Sequence, residues 1–424
     1  MARLRPLKQA VRHMERLMCQ TEQPLPLEGI RVIDLSIWLQ GPLAAMMLGD
    51  LGADVIKIEK PGVGDFARGA KSIFGRSQEL SGGRGLMFEI ANRNKRGISI
   101  DLAHPQGQEV FYKLVQTSDA LVTNLHPSAL EQFAVDRSTL AKINPRLIYA
   151  HATGYGPLGP AALDPCQDTT GMARSAFMFN TPAPDGSPIY QVGTLSDVLS
   201  GTMLAFAVVT ALLNRERWGR AAGAACSQLS AMMWLQYYSI AQYANTGQTF
   251  VPHDRSKAAN PLVNIYRCRD GKWIACGMFL SQRFVWKEFC EAVGAPQLAT
   301  DRRFQDDYGR SQNNQELIAA LDVAFEKQER AHWESIFREK AYWVSVVNDI
   351  KDLMSDTQVL ANKYLVRSDD GLTTVSYPFS LQDVPLPTPR DAPPFGRDTD
   401  AVLSELAGYS IEEIINLKVA GAVW

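Results

Sequence analysis

From residue 30 onward, short unbroken apolar runs alternate with longer stretches of helical period. Ile30-Arg31-Val32-Ile33-Asp34-Leu35 reads as a buried strand. Gly41-Pro42 opens an apolar helical stretch over 43–51, with proline suited to a first helical turn. Gly52-Ala53 ends that stretch, and Asp54-Val55-Ile56-Lys57-Ile58-Glu59 is a second strand, completing a βαβ unit. Residues 61–85 are loop-like and glycine-rich. The pattern then predicts a strand over 98–102 and a helix over 105–116, whose apolar positions are Val110, Phe111, Leu114 and Val115. A strand over 120–123, a helix over 127–133 and a strand over 146–151 continue the alternation. Such alternation predicts an α/β fold with an open, mostly parallel, doubly wound sheet.

The character changes further on. Residues 197–215 and 224–243 read as helices. Residues 262–268 and 272–276 flank Arg269-Asp270-Gly271 and read as a β-hairpin with an Asp-Gly turn. Helices are expected over 281–293, 313–328, 330–340, 399–406 and 410–419. Five prolines between 385 and 396 mark an extended connector. The expected layout is a basic extension over 1–26, a large α/β lobe beginning with 27–220, a smaller α/β lobe over 221–330, and a linker and return to the large lobe over 331–424. The extension carries Arg3, Arg5, Lys8, Arg12 and Arg16 against Glu15. It lacks the apolar core of a secretory signal and reads as a basic helical arm, with a targeting peptide as the alternative.

Composition narrows the function classes. Lys plus Arg is 43 and Asp plus Glu is 45, a net charge of −2, which supplies no field for nucleic acid or an anionic membrane. The longest apolar run, 198–213, is shorter than the roughly 20 residues of a membrane span and reads as a buried helix. The six cysteines form no CxxC pair and the six histidines no HxxxH or HExxH spacing, so no metal site is expected, and reduced thiols fit the cytoplasm. The first βα turn, Leu35-Ser36-Ile37-Trp38-Leu39-Gln40-Gly41-Pro42, lacks the GxGxxG fingerprint, so nothing supports a nicotinamide or flavin cofactor.

Several motifs, in order, resemble class III CoA-transferases. They are Leu27-Glu28-Gly29-Ile30-Arg31-Val32-Ile33-Asp34-Leu35-Ser36, Gly41-Pro42, Leu51-Gly52-Ala53-Asp54-Val55-Ile56-Lys57-Ile58-Glu59-Lys60-Pro61 and Gly64-Asp65-Phe66-Ala67-Arg68-Gly69. Asn92-Arg93-Asn94-Lys95-Arg96-Gly97, Gly154-Tyr155-Gly156-Pro157 and Arg390-Asp391-Ala392-Pro393-Pro394-Phe395-Gly396-Arg397-Asp398 continue the series. The resemblance runs from about residue 27 to the end. It implies a large Rossmann-like CoA-binding domain made from both chain ends, a small domain between, and a homodimer of interlocked subunits. A heteromer with a homologous subunit is the other arrangement.

The resemblance also implies a reaction. CoA moves from a thioester donor to a free carboxylic acid through an aspartyl anhydride and an aspartyl-CoA thioester. CoA is thus a substrate, and no permanently bound cofactor is implied. An ordinary aspartate, with pKa near ~3.9, is ionised at neutral pH and needs no base. Asp185, in Pro184-Asp185-Gly186-Ser187-Pro188, resembles the family's nucleophile. From the residues alone, Asp-Gly between prolines reads as a turn. Asp168, in Pro165-Cys166-Gln167-Asp168, resembles the catalytic aspartate of the related 2-methylacyl-CoA racemases. That reading lacks its second acid/base residue, because Gly277-Met278-Phe279-Leu280-Ser281 holds no acid. Otherwise Asp168 is a helix cap or a wall of the site. Lys60, Arg68, Arg96, Ile100, Asn124 and Leu125 are the expected CoA-binding residues. The family's basic residues are replaced by Ala103 and Gln132. Trp38, Leu39, Gln40, Tyr155 and Asp168 are the expected substrate pocket. A catalytically silent CoA-binding subunit is a third reading, against which an aspartate at 185 argues.

Overall fold

The computed structural model describes residues 24–180, 182–183, 185–278 and 285–424. The basic arm expected over 1–26 falls almost wholly outside them. The chain divides into two compact units: residues up to Thr249 together with Tyr364–Trp424, and Phe250–Lys363.

The first unit is built on six parallel strands. In chain order they are β1 (Arg31–Leu35), β2 (Asp54–Glu59), β3 (Lys95–Ser99), β4 (Ala120–Thr123), β5 (Ile148–Thr153) and β6 (Ala224–Ser227). Their spatial order is β3-β2-β1-β4-β5-β6. This is the order of a doubly wound sheet, with its switch point between β1 and β4. The helices are α1 (Gln40–Asp50), α2 (Leu86–Asn92), α3 (Pro105–Gln116), α4 (Pro127–Gln132), α5 (Arg137–Ile143), α6 (Asp168–Arg174), α7 (Leu195–Trp218), α8 (Gln228–Leu235) and α9 (Tyr237–Thr246).

Successive strand residues face opposite sides, and each side finds a helical cover. Val32, Val55, Ala120, Val122 and Ile148 pack under Ala44, Leu48, Leu204 and Val208 of α1 and α7. Ile33, Ile56, Ile98 and Leu121 pack under Val110, Phe111 and Leu114 of α3. The C-terminal helices complete the second face with Val402, Leu403, Ile414 and Leu417. Ile33, Ile56 and Ile98 are fully buried, and each contributes about 2 kcal/mol of transfer free energy.

The second unit has a three-stranded antiparallel sheet of β7 (Val263–Arg267), β8 (Trp273–Gly277) and β9 (Val344–Val347), in the order β9-β8-β7. Among the described residues, its α-helices of six or more residues are α10 (Trp286–Ala292), α11 (Asp307–Gln312), α12 (Asn314–Phe325) and α13 (Arg330–Glu339). Tyr266, Phe289, Phe325, Trp333 and Phe337 fill its core. The β7–β8 turn uses Gly271 at φ +75°, as its Asp-Gly sequence requires. Back in the first unit, α14 (Thr399–Ala407) and α15 (Ile411–Val419) end the chain.

Several expectations move. Residues 224–227, read as helix, form β6 and pair with 150–153. Ser227 then caps α8, its Oγ accepting the Ser230 N–H, so the helix starts four residues late. The strand expected at 98–102 is β3 at Lys95–Ser99, because Lys95 is buried and not a loop cation. The apolar run 198–213 lies inside the 24-residue α7, which is long and apolar enough to cross a membrane by length alone. One face of α7, including Leu204, Val208 and Leu212, is buried against α1 and the sheet. The unit boundaries fall at 249/250 and 363/364, where 221 and 330 were expected. The residues after 220 supply β6 to the large sheet, and 344–347 supply β9 to the small one.

Candidate active site

Two polar clusters lie near the carboxyl ends of β1 and of β5 and β6. The first surrounds the loop after β1. Asp34, Lys57 and Lys95 are all fully or nearly fully buried on β1, β2 and β3. Lys95 Nζ donates to Asp34 Oδ2 at 2.7 Å, Asn92 Oδ1 at 2.7 Å, Pro42 O at 2.7 Å and Ala91 O at 2.8 Å. Lys57 Nζ donates to Asp65 Oδ2 at 2.8 Å and also to the Ser36 carbonyl. Burial drives the Lys95 ammonium down to about 8, against the pull of Asp34. Burial disfavours the Asp34 carboxylate too, but the charges of Lys57 and Lys95 outweigh it and hold the group below its usual range. Four buried acceptors commit Lys95 to the fold.

The loop itself is clasped from two sides. Asn124 Oδ1 accepts from Ile37 N at 2.8 Å and its Nδ2 donates to Ile37 O at 2.7 Å, closing the β1–β4 switch point. Asp65 Oδ1 accepts from Trp38 N at 3.0 Å. Trp38 holds φ +64° and stacks on Phe66, ring centroids 6.0 Å apart.

Beside this loop is a cavity of about 260 Å³. Leu35, Ile37, Ile58, Ile100, Leu102, Leu125 and Phe133 give it apolar walls, and Lys60, Asp65, Phe66 and Asp101 stand among its lining residues. Three expected residues thus line it: Lys60, Ile100 and Leu125. Lys60 is exposed and has no carboxylate partner among the described residues. The other three expected CoA-binding residues, Arg68, Arg96 and Asn124, do not line it. Arg96 pairs with Asp54 Oδ1 and Oδ2 at 2.9 and 2.7 Å and with Glu405 at 2.7 Å. Asp54 begins β2, so Arg96 serves the amino edge of the sheet, opposite the cavity. Arg68 forms a two-pronged pair with Glu59 at 2.8 and 2.7 Å and lies 3.5 Å over the Phe88 ring. Asn124 spends both amide atoms on Ile37.

The second cluster joins β5, α6, α7 and α8. Asp168, the first residue of α6, turns one oxygen toward the start of α7. Its Oδ1 accepts from Ser196 N at 2.7 Å, Ser196 Oγ at 3.0 Å and Asp197 N at 3.2 Å. Its Oδ2 has no hydrogen bond among the described residues. Thr194, just before α7, holds φ +56°, an uncommon strain for a β-branched residue. Gln228 Nε2 donates to Asp197 Oδ1 at 2.5 Å, and the Cys166 thiol donates to Gln228 Oε1 at 2.9 Å. Burial, then the neighbouring Asp168 charge, pushes the Asp197 carboxyl up to about 7. Tyr155 is half-buried, with the Arg174 guanidinium 5.0 Å from its ring centroid.

The remaining expected residues sit differently. Leu39 and Gln40 are 3% and 5% exposed, and Gln40 Nε2 donates to Thr153 O at 3.2 Å. They are core residues at the α1 start rather than walls of the cavity. Asp185 is exposed. Its Oδ1 accepts from Ser187 N at 2.9 Å and Ser187 Oγ at 2.7 Å, which lowers its carboxyl and makes an Asx turn. Asp65, Asp197 and Gln228 were not singled out. The available signal was an acid in Gly64-Asp65 and a second acid four residues beyond Gly193.

An apolar cavity beside the switch point of a parallel doubly wound sheet is where open α/β sheets commonly bind a ligand. The sequence profile of CoA-transferase family III matches residues 27–399, and the chain belongs to that family. It is 33% identical over 344 residues to the acetyl-CoA:oxalate CoA-transferase of Acetobacter aceti, covering 81% of this chain and 86% of that one. It is 28% identical over 407 residues to the succinyl-CoA:glutarate CoA-transferase of Mus musculus, covering 94% and 90%. A crystal structure of a CAIB/BAIF family protein from Brucella suis superposes with a TM-score of 0.79 at 26% identity, covering 91% of this chain and all of that one. The protein is an enzyme of the CoA-transferase class.

Proposed function

We propose that the enzyme moves CoA from an acyl-CoA thioester to a free carboxylic acid, with the nucleotide end of CoA in the switch-point cavity and Asp168 as nucleophile. The observation that carries this is the asymmetry of the Asp168 carboxylate. Three donors fix Oδ1, and Oδ2 is left for attack. Strained Thr194 beside it adds support, since such backbone persists where the surroundings enforce it. Asp185 is the weaker candidate. An anhydride intermediate must be kept from water, and Asp185 stands exposed with only its own turn as partner.

The steps balance as follows. Asp168 Oδ2 attacks the thioester carbonyl, and the C–S bond breaks to release CoA thiolate and leave a mixed anhydride. The thiolate attacks the aspartyl carbonyl, releasing the first acid and forming an aspartyl-CoA thioester. The acceptor carboxylate attacks that carbonyl and expels the thiolate again. The thiolate then takes the new acyl group, and the Asp168 carboxylate is restored. No net proton moves. The cavity's lysine, Lys60, meets a CoA phosphate by charge, while the apolar walls take the base.

Donor and acceptor come from the classes named in the relatives: short acyl-CoAs such as acetyl- and succinyl-CoA, and acids such as oxalate and glutarate. The working form is a dimer of two copies in the cytoplasm, with a heteromer as the alternative, since one relative is a beta subunit. A racemase using Asp168 would exchange an α-proton for deuterium without moving CoA to a labelled acid. The test is acyl-CoA incubation with hydroxylamine, then activity and peptide mass. Asp168→Ala abolishing both transfer and hydroxamate formation, with Asp185→Ala retaining them, is the expected result. Modification at Asp185, or Asp168→Ala at wild-type rate, overturns the assignment.

A further inference from the structure

We propose that Asp65, acting with Asn124, is a positioning residue that holds Trp38 in its left-handed conformation and so fixes the adjoining Ser36 and Ile37 as a wall of the acyl-CoA cavity. This rests on the reading that the cavity takes acyl-CoA.

A tryptophan at φ +64° is a rare conformer, and nothing in its own side chain favours it. The surroundings impose it. Four consecutive backbone groups of the loop are taken by side chains from other elements. The Ser36 carbonyl accepts from Lys57 Nζ, the Ile37 carbonyl and N–H are both held by Asn124, and Trp38 N–H donates to Asp65. Asp65 is 2% exposed and is itself locked. Its Oδ2 accepts from Lys57 and its Oδ1 also from Ala67 N at 2.9 Å, while its own N–H donates to Glu59 Oε2 at 2.9 Å. The device therefore ties the loop after β1 to the loop after β2. Ser36, Ile37, Asp65 and Phe66 all line the cavity, so a displaced loop changes the shape the ligand meets.

A positioning role and a merely structural one predict different kinetics. Asp65→Asn keeps the shape but loses the charge that faces Lys57, and it is expected to raise the KM for acyl-CoA at least about fivefold while kcat and the KM for the acid stay within about twofold. A structural role lowers the folded fraction, so kcat falls and neither KM moves. Asp65→Asn leaves Lys57 buried without its partner and could unfold the protein, so Asn124→Asp is the second variant. It removes the donor to Ile37 O from the half-exposed side and is expected to give the same KM split. Calorimetric titration of the wild type with CoA separates the two levels. No binding of CoA by the wild type overturns the reading of the cavity. Binding by the wild type, together with folded variants whose KM and CoA affinity stay within about twofold, overturns the positioning proposal alone.

Discussion

Replacing Asp197 with asparagine should remove a pH dependence that the wild type carries between about pH 4 and 7. The Asp197 carboxyl is pushed up to about 7 from 3.8, first by burial and then by Asp168. The sign follows from proton counting. Above pH 4 the unfolded chain gives up this proton, while the folded protein keeps it until about pH 7, so stability falls across that window and levels off above it. The gap corresponds to about 4 kcal/mol at about 1.4 kcal/mol per tenfold change. Because the side chain keeps some solvent contact, about 2–4 kcal/mol is the expected loss. Asp197→Asn keeps an oxygen for the Gln228 amide and cannot ionise, so the variant should gain stability over the wild type as pH rises, most of it by pH 7.5. The assay is urea denaturation of both proteins at pH 5.0, 6.0, 7.0 and 8.0, buffers chosen at equal ionic strength. Asp168→Asn supplies an internal control, since removing that charge should move the wild-type window to lower pH. Parallel stability curves for wild type and Asp197→Asn would refute both the burial argument and the coupling of the two acids.

Other consequences follow from the same geometry. Lys95→Met removes four buried bonds and leaves Asp34 with the Ser36 hydroxyl and with Lys57, 3.8 Å away, as its remaining cation, so a loss of about 3–5 kcal/mol is expected by denaturant titration, and a change below about 1 kcal/mol counts against the buried network. Gly154→Ala places a Cβ 2.1 Å from the Cys166 Cβ, two residues before Asp168. Transfer should fall at least about a hundredfold while the melting temperature drops only a few degrees, and an active Gly154→Ala would show that the 166–168 segment needs no fixed position. Lys60→Ala should raise the KM for acyl-CoA about five- to tenfold, whereas Arg96→Ala, tied to Asp54 and Glu405 at the far edge of the sheet, should leave it within about twofold. The opposite ranking in steady-state kinetics would restore Arg96 to the site.

The apolar pattern made the frame legible. β1, β2, α3 and β4 lie where their periodicity puts them, because both faces of a parallel sheet must be apolar and the intervening helices must cover them. What periodicity cannot carry is partnership over long range. Residues 224–227 are alanine-rich and join a helical run by propensity, and only pairing with 150–153 makes them a strand. Val344–Val347 is four residues after a helix, too short to stand out until β8 accepts it. Lys95 and Arg96 are adjacent basic residues with the same apparent use. On a strand they point to opposite faces, one into a buried network and the other to a surface pair.

The same limitation explains why the proposed nucleophile is Asp168 where the sequence pointed to Asp185. A local motif gives Asp185 its turn and Asp168 its cap, and neither motif says how many oxygens remain free. That count depends on Ser196 and Asp197, 28 and 29 residues downstream, whose N–H groups converge on one Asp168 oxygen only after α7 has packed against α6. A single fixed oxygen is what separates a nucleophile from a cap. A cap is satisfied when its donors are bound, and it gains nothing from the second oxygen. A nucleophile needs the first oxygen immobilised so that the second arrives at the thioester carbonyl along one line. On the proposed assignment, the α7 N-terminus both stabilises the fold and aims the chemistry. A half-buried carboxylate at a helix start, with one oxygen unpartnered among the described residues and a second carboxyl held close to it, is better placed for the proposed acyl transfer than an exposed aspartate in a proline-flanked turn.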